Sequence, residues 1–214
     1  MLMKKFVIFV AAVLLICSCG LLASSSSSFS SSSNNSSVNR ASSQGGIRVS
    51  KGVGTETITF NSLPTSVEEL QKLDITDPYV TAALTIAALM QWESNNALCI
   101  EMLEYLNGPN NVSNYEKQFI RERLNGKFYK VPSFFSGATP DNNYTPSKPY
   151  KITVSSNSYS FQSKGWATLY IKSGGADNPR PLKLRQKEST GEWFYNEITC
   201  LADIRTPASA DPWR

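Results

Sequence analysis

The sequence predicts an α+β domain in which N-terminal helices pack on a curved C-terminal antiparallel sheet. Three observations carry this. Apolar residues recur at helical spacing behind capping signals between Thr65 and Gly126. From Tyr150 onward the apolar period falls to two. The strands implied there are joined by short turns, which makes neighbouring strands antiparallel.

The helices announce themselves in order. Thr65-Ser66-Val67-Glu68-Glu69 offers capping boxes in two registers and opens a short helix through Leu70 and Leu73. Asp77-Pro78 supplies an N-cap and a proline at the first helical position. The run YVTAALTIAALMQW, Tyr79 to Trp92, is apolar on nearly every face, as a buried central helix must be. At about fourteen residues it is too short to span a bilayer. Asn95 or Asn96 caps a third helix with Leu98, Met102, Leu103 and Leu106 on one stripe, stopped by Gly108-Pro109. Ser113 and Glu116 form a further capping box ahead of Phe119, Ile120 and Leu124, and Gly126 ends that helix.

Ser133 to Pro149 has three prolines, no clear period, and the aromatic residues Phe134, Phe135 and Tyr144. It reads either as a binding loop with exposed aromatics or as a belt filling the join between helices and sheet. Strands follow at Tyr150–Val154, Trp166–Ser173, Pro181–Lys187 and Glu192–Ile198. Leu182 and Leu184 point to one face, and Lys183, Arg185 and Lys187 to the other. Trp213, near the end of the chain, is expected to dock on the domain.

The net charge of +4 is unevenly distributed. Leu63 to Gly126 carries a net −5 and Lys127 to Arg214 a net +5. Such halves either attract each other or mark a surface for charged partners. With no basic cluster longer than Lys183 to Lys187, nucleic acid is not an expected partner. The chain has no histidine, which excludes Ser-His-Asp and Cys-His nucleophile activation and histidine-ligated zinc. No cofactor or metal is implied. Cys99 and Cys200, about a hundred residues apart, are either a disulfide, worth about 4–5 kcal/mol by loop entropy, or two buried free thiols.

The N-terminus has its own grammar. Lys4 and Lys5 precede an eleven-residue apolar run, Phe6 to Ile16, which reads as a secretory signal. Ile16-Cys17-Ser18-Cys19 resembles a bacterial lipobox, which implies cleavage before Cys19 and lipid on its thiol. Small Ser18, rather than branched Ile16, precedes the cut in that register. The domain plan is therefore a lipoprotein signal peptide at 1–18, a Ser-rich disordered tether at 19–46 and a single α+β domain at 47–214. The low-complexity stretch Ser24 to Gln44 has a root-mean-square reach of about 25 Å as a flexible coil. Localisation at the extracytoplasmic face of a bacterial membrane, held by a lipid anchor, is the expectation.

Seven ordered segments, FNSLPTSVEEL, TDPYVTAALTIAAL, EMLEYLNGP, YEKQFIRERL, ATPDNNYTPSKPY, YIKSGGADNPRPLKLRQKESTGEWF and DIRTPASADPW, resemble a family of bacterial proteins known as a domain of unknown function. Its members come mostly from Gram-positive anaerobes, some with lipoprotein signals. The resemblance spans Thr57 to Trp213 and implies no activity, cofactor or site residue.

Two functions fit these residues. One is a surface-tethered, non-catalytic binding module. Its basic strand face, Lys183, Arg185 and Lys187 with nearby Asp177 and Arg180, would take an anionic cell-wall polymer or an envelope protein. The alternative is a small hydrolase- or isomerase-like enzyme with a concave sheet pocket, using carboxylates and arginines such as Asp177, Arg180, Asp203 and Arg205. Those four residues equally read as structural salt bridges pinning the C-terminal tail. A carboxylate of raised pKa in a pocket would point to the enzyme.

Overall fold

TETITF, at Thr55–Phe60, alternates polar and apolar residues and forms strand β3. It pairs with β2, Ile47–Gly52, across a Val53-Gly54 turn in which Gly54 takes a positive φ. β2 pairs in turn with β1, Arg40–Gln44. The computed structural model describes residues 40–44 and 46–213. The signal peptide, Cys19 and most of the tether lie outside the described residues.

The remaining elements follow the expected order. They are α1 (Val67–Leu70), α2 (Pro78–Leu89), α3 (Asn96–Asn107), α4 (Asn114–Leu124), β4 (Tyr150–Ser155), β5 (Trp166–Ile171), β6 (Arg180–Gln186) and β7 (Trp193–Glu197). The strands form one antiparallel sheet in the simple order β1 to β7. The fold is mixed α+β. The sheet, however, is not confined to the C-terminal half. β3 pairs with β4 along its whole length, Thr55 opposite Ser155 and Phe60 opposite Tyr150, so the four helices are an insertion between two central neighbours. Five residues of the expected disordered tether, Arg40–Gln44, are likewise strand β1. Backbone pairing needs no apolar side chains, and β2 offers β1 an open row of N–H and C=O groups.

Helix caps sit where the side chains dictate. Glu69 N donates to Ser66 Oγ, Tyr79 N to Asp77 Oδ1, Leu98 N to Asn95 Oδ1 and Glu116 N to Ser113 Oγ. Asn95, not Asn96, is thus the cap of α3. Every residue of α2 from Val80 to Leu89 is buried. The helix lies against β3, β4, β5, β6 and β7 on one side and α3 on the other, so it has no face left for water. Gly108 ends α3 with φ 74°, and a Cβ there would stand 2.7 Å from the Phe194 ring. Both constraints demand glycine.

The Ser133–Pro149 segment is a belt. Phe134, Phe135 and Tyr144 are buried, Tyr144 stacks on Tyr129 at 5.7 Å, and its hydroxyl donates to the Arg205 carbonyl. The exposed-aromatic reading of this loop therefore falls. Trp213 also departs from expectation, since it is 93 % exposed.

Candidate functional site

Strand alternation sorts the sheet into two faces. Ile47, Val49, Ile58, Phe60, Ile152, Val154, Leu169, Leu182, Leu184 and Tyr195 point inward and are buried. Outward positions on β2 to β6 carry Arg48, Lys151, Lys183 and Arg185 and no acid. The first carboxylate of that face is Glu197 on β7, opposite Lys183. Lys183 Nζ and the Arg185 guanidinium each stand 5.1 Å from the centroid of the Trp166 ring. Lys187 is exposed just beyond β6. The three basic residues singled out in sequence thus share a surface; Arg48 and Lys151 lie on the same side of the sheet but at its other end, because β4 meets β5 only through Val154 and Ser155.

Asp177 and Arg180 sit elsewhere. Arg205 donates to Asp177 at 2.9 Å and Arg180 to Asp203 at 2.9 Å, while Arg205 N donates to the Gly175 carbonyl. These are the pairs that pin the C-terminal segment to the β5–β6 turn. Their carboxylates and guanidinium NH groups engage one another, although Arg180 Nε stays buried without a hydrogen-bond partner among the described residues. Cys99 and Cys200 are free, buried thiols, and burial pushes each up to about 12. Of the two states open to them, the structure has the unbonded one.

A second cluster lies where the inner face of the sheet meets the start of α2. Lys51 and Glu56 stand directly opposite each other on β2 and β3, in phase with the core residues Val49 and Ile58. Lys51 Nζ lies 3.2 Å from Glu56 Oε1 and 2.5 Å from Asp77 Oδ2. Asp77 is fixed because its other oxygen caps α2. Glu56 is 7 % exposed, and its Oε2 is buried with no hydrogen-bond partner among the described residues. Burial pushes the Glu56 carboxyl above the ordinary glutamate range, the negative charge of Asp77 adds to the rise, and Lys51 offsets part of it. Hydrogen bonding to Asp77 holds the Lys51 ammonium above its usual value against the cost of burial.

These groups line a cleft of about 590 Å³ whose other wall is Tyr79, Phe161 and Trp193. Trp193 is held by its N–H on the Ile75 carbonyl and by its own carbonyl, which accepts from Thr81 Oγ1. The Tyr79 hydroxyl donates to Ser156 Oγ. Phe161 stands on the β4–β5 loop, 6.3 Å from Trp193 and 6.4 Å from Tyr79 by ring centroids, and is 46 % exposed. Sequence reasoning missed this cluster because it missed β2 and β3. The signal was present: in TETITF the acid Glu56 falls in phase with Ile58 and Phe60, and in IRVSKG Lys51 falls in phase with Ile47 and Val49.

Among the described residues no group of three or more His, Cys, Asp or Glu is placed to hold a metal ion, and no helix is long and apolar enough to cross a membrane.

Comparison with known families places residues 62–208 in DUF6935, a domain of unknown function. The chain belongs to this family. No curated protein and no solved structure matches it. The family match begins after β3, so it leaves out the hairpin that contributes Lys51 and Glu56.

Proposed function

We propose that this DUF6935 protein is a membrane-anchored bacterial surface lipoprotein whose folded domain is a non-catalytic binding module at the cell envelope. Residues 1–18 act as the signal, Cys19 takes the lipid, and the Ser-rich stretch lets the domain turn freely above the membrane. The sheet curves around α2, leaving its outer face to the surroundings.

The observation that supports binding is the outer strand face. Lys183 and Arg185 stand on it beside the partly exposed Trp166, and Arg48 and Lys151 at its other end, without an acid on β2 to β6. A repeating anionic wall polymer, or an acidic envelope protein, matches that array in charge. The test is co-sedimentation of the full chain with envelope and wall fragments. Replacing Lys183, Arg185 and Lys187 together by Ser should weaken binding about tenfold or more, and added salt should weaken the wild type in parallel. Undiminished binding by the triple variant sinks this surface.

One observation favours the alternative, a small hydrolase- or isomerase-like enzyme. Glu56 is a buried carboxyl of raised pKa in an open cleft, as a general acid must be. Asp177, Arg180, Asp203 and Arg205, engaged with one another, offer that reading no support.

A further inference from the structure

We infer that the Lys51–Glu56–Asp77 cleft binds an uncharged saccharide unit, whose ring lies against Phe161 and whose hydroxyls meet the carboxylates and Lys51. The site stands apart from the basic strand face and does not depend on it.

The charges at the site select the class of ligand. Lys51 Nζ already occupies the place between Glu56 and Asp77 where a ligand cation would have to stand. A ligand anion would meet Glu56, Asp77 and Asp74, which line the cleft with one lysine among them. Neither ion is suited. An uncharged ligand rich in hydroxyls is, because it can both donate to carboxylate oxygens and accept from the ammonium. Glu56 Oε2 sharpens this. A buried carboxylate oxygen without a partner costs free energy, and since Glu56 lines the cleft, a turn of its carboxyl toward a ligand hydroxyl would relieve that cost.

The opposite wall asks for an apolar face. Tyr79, Phe161 and Trp193 give a contiguous aromatic surface, with Phe161 turned well into solvent on a loop ordered by Asn157, whose Oδ1 accepts from Tyr159 N. A pyranose presents hydroxyls around its edge and C–H groups on its faces, so it can satisfy both walls at once. The 590 Å³ of the cleft falls within the usual range for small-molecule sites.

The experiment presents the purified full chain to an immobilised panel of uncharged oligosaccharides, with uncharged peptides as the competing class. The expected result is saturable binding of at least one oligosaccharide, with saturation transfer to its ring protons by NMR. Phe161→Ala should weaken that binding about tenfold, Phe161→Tyr should retain it, and Glu56→Gln should weaken it. Phe161→Ala gives up ring contacts with Tyr79 and Trp193, so its melting temperature should fall slightly, and binding is compared well below that transition with Phe161→Tyr as the control. Release of shortened product would support the site and favour the enzyme reading besides. Binding to no oligosaccharide, binding to peptides instead, or binding indifferent to Phe161→Ala overturns the inference.

Discussion

The molecule holds two clusters of opposite charge that differ in what surrounds them. At the C-terminal segment, Arg205 pairs with Asp177 and Arg180 with Asp203, one cation to one carboxylate, with both carboxylates exposed to water. At the start of α2 a single Lys51 serves two carboxylates, one of them buried, and an oxygen is left over. The first cluster leaves Arg180 Nε buried without a partner among the described residues but keeps both carboxylates in water, and it holds a tail in place. The second has unused hydrogen-bonding capacity beside an aromatic wall. Charge pairing alone does not mark a site; what sets the second cluster apart is a buried carboxylate that lines an aromatic-walled cleft.

The largest difference between the clusters is expected at their two cations. Lys51→Met strips Glu56 and Asp77 of their shared partner and should cost about 1–2 kcal/mol, the range for a partly buried charge left unpaired. Arg205→Met, at an exposed pair, should cost under about 0.5 kcal/mol. Urea denaturation of both variants checks this, and equal losses would erase the distinction between the clusters.

A smaller effect separates them by pH. Because the Glu56 carboxyl is raised in the folded protein, it favours the fold at acid pH, below the ordinary glutamate range. That contribution is lost as pH rises through the raised value. Glu56→Gln should therefore flatten the stability profile between weakly acid and neutral pH. A profile identical to the wild type would show that Glu56 ionises as freely as an exposed glutamate.

The smallest effect is expected where burial is complete and no charge is held. Cys99 and Cys200, their thiols pushed up to about 12, should resist alkylation in the native protein and react only on unfolding. Peptide mapping after maleimide treatment, without reductant, reads both sites. Rapid native labelling would contradict their burial, and failure to label after unfolding would restore the disulfide.

Much of the fold was legible in the chain because its signals are local. Ser66, Asp77, Asn95 and Ser113 cap helices through contacts within three residues, and the alternation in PLKLRQK directs Leu182 and Leu184 one way and Lys183 and Arg185 the other. β1 escaped notice because RASSQ has no apolar pattern, and its strand exists through pairing with β2. The hairpin of β2 and β3 carried the period of two but lies before the helices, so an order of helices then strands concealed it. Phe134, Phe135 and Tyr144 fill the join between layers, a destination that no local pattern distinguishes from an exposed loop.

By itself, then, the sequence determined the caps, the buried α2, the two-faced C-terminal strands and a chemistry without histidine. Tertiary structure alone decided that β3 pairs with β4, some ninety residues later in the chain, and that the helices fill the interval. It alone brought Glu56 and Lys51 to the Asp77 cap, and set Phe161 and Trp193 across from them. Periodicity and capping act over a few residues and can be read in order, whereas a cleft is made by segments that meet only after the chain has folded.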